Sequence, residues 1–394
     1  MARLGTAVQF VRREYSKRMN ALAIYDRLTS GRSRFIRVDD LCRLAAAGFP
    51  GFLPSEKQLQ EEAALAQRDK KGVEKKQGEF LAAVLADPVA GAHLCHAMLL
   101  PGEGSKKRFP EYDKNGEIDL GGAHLKRQGI AAVLTMRNPR YLNAEDETTL
   151  EGMETAVDLA LLDPKTELCV LRGDVVTHTK HAGRRIFGAG INLTHLYQGK
   201  VRYLWYLIRD LGFVNKFYRG LASPDQSPEV TSTEKIWIAA VEGFAIGGHC
   251  QILLTMDYTL AAEDAYMTLP ARKEGIIPGA ADLRLPRFVG DRIARQAIMA
   301  ERRIDCASPE GRMICDEIVS PAAMDAAIEK TVEKLTGSGV VSAAGNRRAF
   351  RAGQEPLDMF RRYMAVYARE QAQCHFSPAL IANLEKHWNA ANRR

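Results

Sequence analysis

The spacing of apolar residues changes twice along the chain. From Met1 to about Leu100 apolar side chains recur at intervals of three and four with charges between them, as at Leu59, Ala63, Leu65 and Ala66, which predicts helices and no strands. Pro50 and Pro54 interrupt this run, and Ser55 followed by Gln58 is a capping box that predicts a fresh helix start. Pro101 to Gly122, rich in Gly, Pro, Lys and Asp, reads as a linker or surface loop and marks a boundary. After Gly129 the texture is different. Ile130 to Met136 reads as a buried strand, Asn143 as the cap of a helix with Leu150, Met153, Val157 and Ala160 on one face, and Leu168 to Leu171 as another strand. Ile236 to Val241 and Tyr258 to Ala262 read as strands flanking a helical Cys250 to Leu254, so the middle of the chain is an α/β region. Helical spacing returns from Pro321 onward.

Composition narrows the function classes. No apolar run approaches the ~20 residues of a membrane span. Met1 to Asn20 mixes Arg and Lys with Phe10, Val11 and Tyr15 and lacks the continuous apolar stretch of a secretory signal, so a cytoplasmic protein is expected. Cys42, Cys95, Cys169, Cys250, Cys306, Cys315 and Cys374 are scattered with no CxxC pair, which argues against a disulfide framework or a zinc site. The formal charge of +7 suits nucleic acid, an acidic membrane surface or a polyanionic coenzyme. Lys70, Lys71, Lys75, Lys76, Lys106, Lys107 and Arg108 lack interleaved aromatics and read as solvated faces rather than an RNA site. His93 with His96, and His178 with His181, have the spacing of helix ligands, but no carboxylate completes a facial triad, so no metal is expected.

The segment IAAVEGFAIGGHCQ, Ile238 to Gln251, carries the most chemistry: a buried strand, a glycine turn, then the start of a helix. Gly247 and Gly248 admit a ligand close to the backbone, and an amide in a first helical turn has no intrahelical acceptor and faces developing negative charge favourably. The competing reading is a tight, well-packed turn. A second turn, RRIFGAGINLT from Arg184 to Thr194, has Gly188 and Gly190 just before Ile191 and Asn192. Two amides converging on one thioester oxygen stabilise its enolate, at roughly 3 kcal/mol each.

These two turns, together with GIIPGAADLRLPRFVG (Gly275 to Gly290) and MRNPRYLNAE (Met136 to Glu145), resemble in order and spacing the four signature stretches of the crotonase superfamily, over about Gln128 to Pro321. The resemblance implies an α/β fold with a crotonase (ClpP-like) spiral-sheet core over 123–321. A helical N-terminal region and linker would occupy 1–122, and C-terminal helices over 322–394 would serve oligomerisation and cover the site. It implies an acyl-CoA substrate, an oxyanion hole from the amides of Ile191 and Gly248, and a coenzyme A channel along Arg140, Tyr141 and Ala189. Gly190, Asn192 and Gly247 would frame that channel, and trimers or hexamers are the expected assembly.

In the hydratase branch two glutamates handle water. The matching positions here are Gln251 and Ala271, neither of which can act as a general base near neutral pH. Glu274 lies three residues from the second and is set aside. Longer stretches, Met267 to Met299, Arg302 to Glu317, Ala182 to Tyr197 and Leu204 to Ala222, resemble a metal- and cofactor-free dioxygenase branch active in glycopeptide-antibiotic biosynthesis. That branch converts (3,5-dihydroxyphenyl)acetyl-CoA and dioxygen to 3,5-dihydroxyphenylglyoxylate and coenzyme A. By this resemblance Gln251 bonds the substrate or oxygenated intermediate, while Glu145 and Arg209 contact the ring hydroxyls or orient the acyl group. For Glu145 the alternative is a first-turn carboxylate, and for Arg209 a solvated charge. A thioesterase, isomerase or hydratase-like enzyme on the same hole is the alternative activity, with an RNA-binding crotonase-fold protein behind it. His249 stands where many relatives have glycine.

Overall fold

The computed structural model describes residues 20–337 and 341–393. The expectation about a secretory signal therefore falls mainly on residues 1–19, outside the described ones. Helices α1 (residues 20–28), α2 (Val38–Gly48), α3 (Glu56–Ala63), α4 (Lys75–Ala86) and α5 (Pro88–Leu99) come first. Ser55 and Gln58 close the reciprocal capping box at the start of α3.

The stretch expected as a linker is instead helix α6 (Glu103–Asn115) followed by strand β1 (Glu117–Asp119). Its inner face is only Ser105 and Tyr112, too little to show as a period. The face is fixed by hydrogen bonds from Ser105 Oγ to Asp158 (2.7 Å) and from the Tyr112 hydroxyl to Asp163 (3.0 Å).

β1 begins a seven-stranded sheet with β2 (Ala123–Gln128), β3 (Ala131–Met136), β4 (Leu168–Gly173), β5 (Ile236–Val241), β7 (Tyr258–Ala262) and β10 (Glu317–Val319), in the order β1-β2-β3-β4-β5-β7-β10. The two β2 pairings are antiparallel and the rest parallel. Trp237 to Val241 of β5 are all buried, as a strand covered on both faces requires. β6 (Phe244–Ile246), β8 (Tyr266–Thr268) and β9 (Ile304–Asp305) form a smaller second sheet.

Helix α7 (Glu147–Leu162) is capped by Asp146, whose side chain accepts from Thr148 N at 2.9 Å, and not by Asn143. Asn143 is left-handed at φ 56°, a conformation Asn tolerates. Its side chain bonds Asn138 N (3.0 Å) and the carbonyls of Asp174 and Ile186 (2.8 Å each), locking the turn that precedes the helix.

Short helices α8 (Leu193–Tyr197), α9 (Tyr203–Leu211), α10 (Phe213–Arg219), α11 (Gly248–Leu253) and α12 (Ala271–Glu274) surround the sheet ends, followed by α13 (Ala281–Ala300), α14 (Met324–Thr336), α15 (Val341–Gln354), α16 (Leu357–His375) and α17 (Pro378–Trp388). α16 lies along α4. The approach is close enough that a Cβ on Gly78 would sit 2.7 Å from Ala372 Cβ. Tyr203 donates to Ala368 O (2.5 Å) and Gln67 to His375 O (2.6 Å), so N-terminal helices and α9 together hold α16. Just before α16, burial alone would raise the Glu355 carboxyl, but Arg284, Arg219 and Arg287 around it hold it down to about 2. One large buried apolar cluster runs from the N-terminal helices through the sheet to Ala390, with a small second cluster at Val176, Ile186 and Phe244. No single helix among the described residues is long and apolar enough to cross a membrane.

Candidate active site

Two chain segments far apart in sequence are zipped together at the end of β5. Gly188 N donates to Phe244 O (3.1 Å) and Ile246 N to Gly188 O (3.0 Å). On the other side Glu145 N donates to Gly190 O (2.7 Å) and Asn192 N to Glu145 O (2.8 Å). Because successive amides of an extended segment point to opposite sides, these bonds leave the Ile191 N–H facing away from Glu145. Gly247 (φ 55°) then turns the chain into α11, with Gly248 at its first position. Among the described residues neither the Ile191 amide nor the Gly248 amide has a hydrogen-bond acceptor, and both residues line one cavity. The turns abut: a Cβ on Gly190 (φ 76°) would lie 2.8 Å from Ile246 O and 3.2 Å from Gly248 N.

His249 pins the two turns to each other. Its ring is buried and its Nδ1 accepts from Gly190 N at 2.9 Å. A Cβ on Gly188 would meet the ring at 2.2 Å, so glycine there makes room for the imidazole. Burial pushes the imidazole down to about 4, with Arg209 nearby acting in the same direction against Glu145. The ring is neutral at pH 7, and since Nδ1 accepts, the proton sits on Nε2.

A buried charge network underlies Gly248. Arg209 Nε and Nη2 donate to the two Glu145 oxygens (2.9 and 2.8 Å), Nη1 donates to Asp210 (2.7 Å) and Gln251 Oε1 (2.6 Å), and Nη2 also donates to Gly248 O (2.9 Å). These are all five N–H donors of a guanidinium. Arg209 thus has no donor left for a bound ring, and it is 3% exposed rather than solvated. Glu145 precedes the α7 cap and is not a first-turn carboxylate. The Gln251 amide is also committed, since Nε2 donates to Asp210 at 3.0 Å. Burial raises the Asp210 carboxyl above the usual range, against Arg209, Gln251 and Tyr367, which favour its charge.

The cavity has a free volume of about 30 Å³, room for something the size of water. Trp205, Tyr206, Ile276, Ile277 and Tyr367 supply its apolar and aromatic walls, and Gln251, Ala271 and Glu274 face it together. No local sequence signal singles out Asp210, Tyr206 or Tyr367. Asp210 adjoins Arg209 with no pattern to distinguish it, and Tyr367 comes from α16, far along the chain.

The remaining expected residues lie around the turns. Arg140 stacks on the Tyr141 ring at 5.3 Å, and that ring is 5.0 Å from His195. Ala189 N donates to Leu142 O (3.1 Å). Asn192 is buried with both side-chain ends in use, capping α8 through His195 N (3.1 Å) and donating to Asp146 (2.8 Å). His93 and His96 are engaged elsewhere, with the Tyr25 hydroxyl (2.6 Å) and Ser223 O (2.7 Å).

Residues 126–372 match the family model for enoyl-CoA hydratase/isomerase. The chain is 46% identical over 366 residues to a (3,5-dihydroxyphenyl)acetyl-CoA 1,2-dioxygenase of Amycolatopsis orientalis, covering 93% of this chain and 83% of that protein. It is 27% identical over 243 residues to a carnitinyl-CoA dehydratase of Salmonella enteritidis, covering 61% of this chain and 85% of that one. Among solved structures, an enoyl-CoA hydratase/isomerase from Xanthobacter autotrophicus superposes with TM-score 0.56 at 22% identity over 69% of this chain and 96% of its own, a likeness of fold.

Proposed function

Because this chain belongs to the enoyl-CoA hydratase/isomerase family, we propose that it is a dioxygenase converting (3,5-dihydroxyphenyl)acetyl-CoA and dioxygen to 3,5-dihydroxyphenylglyoxylate and coenzyme A. The observation that carries this reading is the pair of amides without acceptors, Ile191 and Gly248, over a cavity without the hydratase carboxylates. At the two corresponding places stand a committed amide, Gln251, and a methyl group, Ala271. The likeness to the Amycolatopsis dioxygenase supports the choice of substrate.

The thioester oxygen accepts from the two amides, and loss of an α-proton gives an enolate held at that oxygen. The electron-rich enolate passes electrons to dioxygen, and the peroxide formed at the α-carbon attacks the thioester carbonyl. Coenzyme A leaves as thiolate, and O–O cleavage with loss of the second α-hydrogen yields the keto acid. In this reading neither metal nor flavin takes part. Arg209, Glu145 and Gln251 act as positioning residues that hold the Gly248 turn, and Arg140 with Tyr141 offers a cation and a ring to the coenzyme. Asn192 and Ala189 fix the second turn, with Gly190 and Gly247 giving it clearance. The same reading makes the protein a cytoplasmic trimer or hexamer, which light scattering on a sizing column checks.

Oxygen uptake and free-thiol release are measured together on chelator-treated protein supplied with 3,5-dihydroxyphenylacetyl-CoA. Matched uptake and release, unchanged by chelator, is the expected result. Thiol release without uptake replaces the reading with a hydrolase on the same amides.

A further inference from the structure

Glu274 closes the single helical turn that begins at Ala271. Side chains three apart on a helix share a face, and both residues border the cavity beneath Ile191 and Gly248. Ala271 leaves space where the longer Glu274 side chain reaches in from one turn further on. The residue is 5% exposed, yet its carboxyl group makes no hydrogen bond or ion pair among the described residues. The two cations on its own helical turn are engaged elsewhere: Arg272 and Lys273 reach Glu301 at 3.5 and 3.4 Å. A buried carboxyl without a partner is costly to fold around, and groups of this kind concentrate where chemistry uses them.

We propose that Glu274 is the proton acceptor of this site, taking a proton from the α-carbon of the bound thioester. The C–H bond breaks and its electron pair forms the double bond to the carbonyl carbon. The carbonyl oxygen becomes the oxyanion received by Ile191 and Gly248, and the proton ends on Glu274. The step is redox-neutral and precedes any encounter with dioxygen. It rests on the acyl-CoA reading above but not on the oxygen chemistry.

Burial, and then the charge of Glu301, raise the Glu274 carboxyl to about 7, with Lys273 opposing. The other titratable groups bordering the cavity are Arg209, Asp210, Tyr206 and Tyr367. The Arg209 and Asp210 charges are bonded to each other, and burial raises both phenols, keeping them neutral near pH 7. Glu274 is therefore the group whose ionisation switches the base on as pH rises through about 7.

The test is loss of the α-proton to D2O without oxygen, followed by NMR on 3,5-dihydroxyphenylacetyl-CoA with the full-length wild type, Glu274→Gln and Glu274→Asp, beside oxygen uptake in air. Wild-type exchange should climb with pH to a plateau above about 7. Glu274→Gln should exchange about 100-fold more slowly or worse with substrate affinity kept, and Glu274→Asp should fall between. Exchange in Glu274→Gln within about threefold of wild type overturns the assignment. So does a flat wild-type profile from about pH 5 to 9, which needs no variant to fold. Wild-type exchange without oxygen uptake sinks the dioxygenase reading and leaves Glu274 standing. Oxygen uptake with an unaffected Glu274→Gln does the reverse.

Discussion

Replacing Arg209 with lysine keeps the buried positive charge and removes the fork that carries it. Arginine makes five hydrogen bonds here, to Glu145 twice, Asp210, Gln251 and Gly248 O. An ammonium offers three donors in a compact head, so at least two buried acceptors lose their partner. Each lost partner costs about 1–3 kcal/mol, which puts the destabilisation near 4 kcal/mol. With an unfolding entropy of roughly 2.1 cal/mol/K per residue, a chain this long shifts its melting midpoint by about 1 °C per kcal/mol, so the variant should melt about 5 °C lower. The Gly248 carbonyl is one of the contacts at risk, and the neighbouring amide loses its aim. kcat should drop at least tenfold, roughly, while KM changes little. Calorimetry and oxygen uptake on the same preparation read both effects. A variant with the wild-type midpoint and kcat within about twofold would refute the claim that this network positions the turn.

Three further outcomes follow from the same geometry. Gly248→Ala places a Cβ 2.7 Å from Glu145 Oε2 and 2.9 Å from Arg209 Nη2, so kcat should fall about 100-fold or more while circular dichroism stays native. His249 drops from 6.5 to about 4 on folding, so the unfolded chain binds the extra proton between those values. Stability should be complete above pH 6.5 and decline by up to about 3 kcal/mol as pH falls toward 4, and His249→Asn should remove that share of the decline in urea titrations. Glu274 moves the other way, from 4.5 to about 7, so the native state binds the extra proton and stability is lost as pH rises through that window. Glu274→Gln should therefore raise the melting midpoint at pH 8 by up to about 4 °C, from roughly 3 kcal/mol, and leave it nearly unchanged at pH 4.5.

Strands whose two faces are both buried, such as Ile236–Val241 and Tyr258–Ala262, are legible as apolar runs and lie where the sequence puts them. The glycine turns are legible for a related reason: glycines at 188, 190 and 248 mark close approaches that a side chain would crowd, and Gly247 turns the chain at a positive φ of 55°. Helix α6 was hidden because two residues make its inner face and charge covers the rest. Asn143 has the chemistry of a cap but spends it on three backbone groups of the preceding turn, leaving Asp146 to begin the helix. The candidate site shows the same divide. Backbone donors are written in local sequence, whereas the meeting of Arg209 with Glu145, or of Tyr367 with Asp210, depends on packing between segments distant along the chain. Counting along the chain alone disfavours Glu274, although three residues along a helix is a short step across its face.

Tyr367 closes the cavity from α16, whose opposite side is seated on α4 where Gly78 lets the two backbones nearly touch. The consequence is one of leverage. Ligand pockets span roughly 300–1,000 Å³, while this cavity offers about 30 Å³, so an aryl group fits only if a wall moves back. A swing of α16 loosens the seat on which the N-terminal helices rest. Substrate admission and loosening of that layer then draw on one free energy, and a thioester lodged beneath Tyr367 speeds amide exchange in α4, a helix it never meets.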